Sequence, residues 1–198
     1  MGPELWLSPF QRSTRRILII KNSLICHDDA ACTVLQRLNT ELLALPNGDL
    51  RLRYELTVDP ARLWIPAPLP PEMTDGLWEH TCFEAFIAVA GHEAYREFNF
   101  SPSGQWAAYA FSGYRIRCEW TASRPPLLDF TQTDEGLQLE AIIAADDLPP
   151  NPEDKPLQVG LTAVIETVDG LRSYWALRHP ASKPDFHHRD GFVQSLKA

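Results

Sequence analysis

The sequence predicts an all-β protein, an antiparallel β-sandwich in a single domain spanning residues 1–198. Three observations carry this expectation. Turn-forming residues recur at roughly 8–12-residue intervals through most of the chain, the rhythm of a sandwich rather than of alternating strands and helices. Between the turns, apolar and polar residues alternate with the two-residue period of a half-buried strand. Seventeen prolines against ten glycines, with six tryptophans, describe a chain rich in loops and strands.

Near the N-terminus, Arg15 and Arg16 precede a four-residue apolar run that ends at Lys21. A secretory core needs about 7–15 apolar residues and a small-residue cleavage site, so a cytoplasmic protein is expected. Ala30, Ala31, Val34, Leu35, Leu38 and Leu42 have helical spacing, with Asp28 or Asp29 as an N-cap. Asn47-Gly48, however, supplies the positive φ angles of a tight hairpin. Behind it Leu50, Leu52, Tyr54, Leu56 and Val58 alternate with polar residues. We therefore predict strands over 38–45 and 50–58 and leave 28–37 open.

Pro66, Pro68, Pro70 and Pro71 make 64–76 an extended loop, because proline lacks the N–H a β-ladder uses. A second proline-rich loop covers 148–156. Strands are expected at 80–90, 94–101, 106–112, 114–119, 127–133, 137–144, 157–166, 172–178 and 191–196. Gly91, Ser103-Gly104, Gly113, Gly136 and Asp169-Gly170 mark the turns.

Strand alternation then sorts the side chains. Phe83, Ala85, Ile87 and Val89 share one face with Phe98 and Phe100, which leaves Glu84, Glu97 and Asn99 on the other. Trp106, Tyr109, Tyr114 and Arg115 follow closely, and Tyr174 and Trp175 alternate across faces. Carboxylates, an amide, a guanidinium and aromatic rings on one face suit a polyol, whose ring stacks while its hydroxyls bond in pairs. The same pattern also describes a solvated outer face.

Composition removes several function classes. A formal charge of −8 argues against a nucleic-acid backbone binder, and no apolar run reaches the ~18 residues of a membrane helix. Four cysteines without a CxxC pair read as free thiols. His92-Glu93 opens like HExxH, but Arg96 stands at the second histidine. His80 and Cys82 lie two apart on a strand, too far for a ready dyad. Glu84 and Glu97 could form a glycosidase-type carboxylate pair. Asp185, His187, His188, His179 and Asp190 are rich in metal-ligand types, yet adjacent histidines on extended chain point apart. A loop fixed by backbone hydrogen bonds is the simpler expectation, with no metal.

The runs LWEHTCFEAFIA (77–88), YREFNFSPSGQWAAYAFSGYR (95–115), LTAVIETVDGLRSYWALRHP (161–180) and KPDFHHRDGF (183–192) resemble the signature of DOMON-like domains. These are similar to family-nine carbohydrate-binding modules. The resemblance covers about a third of the chain and implies a jelly-roll of about ten strands with a non-catalytic, ligand-binding role. By position it implies Glu84 and Asn99 at the polar centre of the binding sheet, Trp78 and Trp175 as paired aromatic walls, and Arg115 as a hydroxyl or anion clamp. The implied ligand is a sugar or sugar conjugate, and no cofactor. Haem is the alternative, held by Met73 with His187 or His188. A protein-interaction module using the same face is a third possibility.

Overall fold

The computed structural model describes residues 19–29 and 34–197. Thirteen strands follow in order: β1 (Ile19–Ser23), β2 (Ile25–Cys26), β3 (Arg37–Ala44), β4 (Leu50–Thr57), β5 (Cys82–Val89), β6 (Tyr95–Phe100), β7 (Trp106–Gly113), β8 (Ile116–Cys118), β9 (Leu127–Thr133), β10 (Gly136–Ile143), β11 (Leu157–Glu166), β12 (Arg172–Ala176) and β13 (Gln194–Leu196). They form a five-stranded sheet, β1-β3-β4-β10-β9, and a larger one, β2-β12-β11-β5-β6-β7-β8, with β13 joined to β11. Every strand-to-strand ladder is antiparallel.

The Asn47-Gly48 hairpin forms as its sequence demands. Gly48 sits at φ +88°, the left-handed region that glycine enters without a Cβ penalty, and the Leu45 N–H donates to the Asp49 carbonyl at 2.8 Å. Asp49 also fastens the two halves of the smaller sheet. Its carboxylate accepts from the Ala145 backbone at 2.9 Å and from Arg124 at 2.8 Å. The Ala145 contact is the main reason its pKa lies below the ordinary value.

The helical spacing around 30–42 does not produce a helix where the chain is described. Leu38 and Leu42 instead alternate inward from β3 and are fully buried, and residues 30–33 lie outside the described residues. β1 and β2 were not legible as strands. β1 pairs with β3, and β2 adds two residues to the edge at β12.

Between the sheets, Leu42, Leu52 and Tyr54 of the smaller face Phe83, Ile87, Phe98 and Phe100 of the larger in one apolar core. Tyr54 keeps its hydroxyl satisfied by donating to the Glu84 carbonyl at 2.7 Å, as a buried phenol must. The outer face of the larger sheet carries a second cluster, including Cys82, Phe86, Tyr95, Tyr109 and Phe111. A C-terminal strap, residues 177–193, covers part of it. The strap crosses β11 at Gly160, where a Cβ would meet the Phe192 ring at 3.0 Å.

Of the four cysteines, Cys26 is disulfide-bonded, whereas Cys82 and Cys118 are free. The expectation of four thiols is corrected: spacing in sequence says nothing about which thiols the fold brings together.

Candidate functional site

On the outer face of the larger sheet, beside the strap, lies a cleft of about 390 Å³, within the usual range for small-molecule sites. Its floor comes from cross-strand registration. Thr162, Glu84 and Asn99 stand in one row across β11, β5 and β6, and Phe86, Glu97 and Tyr109 in the next across β5, β6 and β7. Glu84 and Glu97 are a diagonal pair on these adjacent rows, about 7–8 Å apart along the sheet, a span that long side chains bridge.

Glu84 and Glu97 are buried, at 3% and 5% exposure. Burial, then the neighbouring Glu97, pushes the Glu84 carboxyl well above its ordinary pKa. Burial raises Glu97 to about 7, against the opposing pull of Asn99, Arg115 and Arg117. Asn99 donates from Nδ2 to Glu97 Oε1 at 2.8 Å. Glu84 Oε1, Asn99 Oδ1 and Thr162 Oγ1 are buried with no hydrogen-bond partner. Three such atoms in one row are unusual, because interiors normally pair their polar groups.

The strap closes one side of the cleft. His187 packs edge-on against Phe86 and Phe111, while Tyr95 and Phe111 stack at 4.7 Å. The Tyr95 hydroxyl accepts the Arg115 N–H at 3.1 Å and lies 2.8 Å from His187 Nδ1. A hydroxyl that donates to Nδ1 leaves the ring hydrogen on Nε2, 3.6 Å from Glu97 Oε2. Burial, reinforced by the Arg115 charge, lowers the His187 pKa to about 4 and keeps the ring neutral.

Aromatic rings and arginines form the rim. Trp78, 41% exposed, stands edge-on to Tyr109 at 6.1 Å. Tyr109 donates to Asp75 at 2.6 Å and carries the Arg117 guanidinium over its ring at 4.0 Å. Arg115 adopts φ +56° in the β7–β8 turn and donates to Asp185 at 2.9 Å. Tyr174, Arg172 and Phe186 line the opposite side.

Of the residues named from sequence, Trp78, Glu84 and Arg115 line this cleft, whereas Asn99 does not: it is fully buried beside Glu84 and donates to Glu97. Trp175 does not line it. It is 6% exposed in the inter-sheet core, opposite Ala163, and donates from Nε1 to Ser173 at 2.9 Å. Parity decides this. Trp175 shares a row with the core residues Ala163 and Phe83, so its neighbour Tyr174 takes the cleft side. Tyr174 was therefore findable from the alternation alone. Arg172, two residues before it on β12, has the same parity and was findable in the same way. Arg117 and His187 were not, since the three-residue edge strand β8 and the strap bring them to the cleft.

The haem pair does not fit. Met73 is bridged to Trp106 and 46% exposed, and it does not line the cleft that holds His187. His188 accepts locally from the Asp190 N–H at 3.3 Å. Asp185 is occupied by Tyr114, Arg115 and the His187 N–H, and His179 lies 3.0 Å from the Ile25 carbonyl. Among the described residues, no group of three or more His, Cys, Asp or Glu side chains could hold a metal.

No family model and no curated protein matches the chain. Solved structures do. A candidate carbohydrate-binding protein from Bacteroides uniformis matches with a TM-score of 0.60 at 14% identity, over 89% of this chain and 84% of that one. A family 9 carbohydrate-binding module from Caldicellulosiruptor kristjanssonii, in complex with glucose, matches with a TM-score of 0.54 at 10% identity, over 88% and 83%. At these identities the likeness establishes a shared β-sandwich fold.

Proposed function

We propose that the cleft binds a saccharide and that the protein acts as a binding module rather than a catalyst. The observation that carries this reading is the cleft itself: the rings of Trp78, Tyr109, Tyr174 and Phe186 and the guanidinium groups of Arg115, Arg117 and Arg172 stand around the carboxyls of Glu84 and Glu97. A sugar presents the matching chemistry, an apolar ring face for stacking and hydroxyls that both donate and accept. In this reading Trp78 and Tyr174 stack, Glu84 and Glu97 bond hydroxyls in the floor with Asn99 holding Glu97 in place from behind, and Arg115 donates from the rim. The fold shared with a module crystallised with glucose supports the same ligand class.

The test is calorimetric titration with a panel of neutral and acidic mono- and disaccharides. Saturable binding that weakens at least about tenfold in Trp78→Ala and in Glu84→Gln, with cooperative unfolding kept, is the expected result; tenfold corresponds to about 1.4 kcal/mol. Failure of every sugar at millimolar concentration, or variants that bind like the parent, would overturn the reading.

A further inference from the structure

A second groove, of about 600 Å³, shares Trp78 with the cleft. It is built from the proline-rich loop over 64–78 and the β6–β7 turn. The loop is held at several points. Trp64 N–H donates to the Glu166 carbonyl at 2.9 Å, Leu69 N–H to Ser103 at 2.8 Å, and Thr74 N–H to Trp106 at 2.8 Å. Pro66, Pro68, Pro70 and Pro71 further limit its freedom. An anchored loop of this kind would be expected to hide its large apolar side chains. Instead Trp64, Leu69 and Trp78 are 39%, 51% and 41% exposed.

Short polar side chains stand beside these rings. Gln105 donates from Nε2 to Thr74 Oγ1 at 2.9 Å, and Asp75 reaches across to the Tyr109 hydroxyl of the cleft. His80 packs on Trp64 at 4.4 Å and holds Glu166 at 2.7 Å, which fixes the indole from one side. Exposed rings fixed by packing, with hydrogen-bonding groups at their edges, lose little freedom when a ligand stacks on them.

We propose that this groove is a second saccharide subsite, so that the ligand is an oligosaccharide running from the cleft past Trp78 toward Trp64. The inference rests on the saccharide reading of the cleft and adds chain length to it. Continuity through Trp78 is what selects a sugar chain as the occupant, since one indole borders both depressions and successive sugar rings repeat the same stacking face.

The experiment is calorimetry of the full chain against gluco-, xylo-, manno- and malto-oligosaccharides, from monomer to hexamer. In the best-binding series the tetramer is expected to bind at least about tenfold tighter than the dimer. Trp64→Ala should remove that gain, and Leu69→Asp, an independent change in the same groove, should reduce it. Equal affinity at all lengths, or a length gain that survives both variants, overturns the second subsite and leaves the cleft reading standing. Absence of binding in every series overturns both. A groove that captures a protein while showing no length dependence also overturns this inference.

Discussion

Replacing Glu97 by glutamine removes a titration without removing a shape. The amide keeps an oxygen for the Asn99 Nδ2 donor, now 2.8 Å from Glu97 Oε1. Glu97 has its pKa raised from 4.5 to about 7, chiefly by burial. At low pH the folded and unfolded chains both hold this proton. Above the unfolded value the unfolded chain releases it while the folded chain does not, so stability falls as pH rises through this window and levels off above about pH 7. At about 1.4 kcal/mol per unit, the shift amounts to about 3 kcal/mol. His187 works in the opposite sense. Its folded value near 4 means stability is lost as pH falls below the ordinary imidazole value of 6.5. The two trends cancel over much of the range, so the parent's own profile hides both. The difference between Glu97→Gln and parent removes the groups the two proteins share and reports Glu97 together with its repulsion of Glu84. Urea denaturation at pH 4.5, 5.5, 6.5 and 7.5 should show the variant gaining about 3 kcal/mol on the parent from the lowest pH to the highest. A difference that is flat with pH, or that moves toward the parent, would refute the claim that burial holds a proton on this carboxyl.

Trp175→Ala should cost about 3–5 kcal/mol by opening a cavity between the sheets, whereas Trp78→Ala should cost under about 1 kcal/mol. Chemical denaturation of both variants checks the sorting, and similar losses would contradict the face assignment. Tyr54→Phe should lose about 1–2 kcal/mol, because it leaves the buried Glu84 carbonyl without its donor. Gly136→Ala places a Cβ 1.9 Å from the Leu56 carbonyl oxygen, so a loss of at least about 2 kcal/mol is expected in the same assay. Thiol titration in denaturant without reductant should find two reactive cysteines, and four after reduction, since Cys82 and Cys118 are free and Cys26 is bonded.

Much of the sandwich was readable because its strands obey simple alternation between strong turn signals. Strands over 127–133 and 157–166 were placed to the residue. The hairpin at Asn47-Gly48 set the register of β3 and β4. What failed, failed for physical reasons. Leu38 and Leu42 are four apart, a spacing that serves one face of a helix and one face of a strand equally well. β1 and β2 owe their strand state to partners, β3 and β12, rather than to a pattern of their own. At the site, Glu84, Glu97 and Asn99 could be placed on one face because they lie on regular strands. The half of the cleft made by His187, Phe186 and Arg115 depends on a strap and a turn whose path no periodicity encodes. Trp175 shows the sharper lesson. Residue type points to the Trp175 indole for stacking, whereas parity points to its neighbour Tyr174, the side chain that lines the cleft.

The stability arithmetic bears on why Glu84 and Glu97 are there at all. Two buried carboxyls on adjacent rows repel when ionised and lose hydration even when protonated, so the fold would gain by replacing them with apolar side chains of similar volume. Glu84 Oε1 finds no partner in the protein, and neither do Asn99 Oδ1 and Thr162 Oγ1 in the same row. None of these atoms holds the sandwich together, because the core lies on the other side of the sheet and is closed by Phe83, Phe98 and Phe100. Groups that weaken a fold and lie together in one row at and directly beneath the floor of an aromatic-rimmed cleft are expected where a ligand supplies missing hydrogen bonds. On that account ligand binding should raise the unfolding temperature by satisfying the row, and Glu84→Leu should stabilise the free protein while abolishing the ligand's effect. A variant that lost stability and kept the ligand shift would show that the carboxyl serves the fold instead.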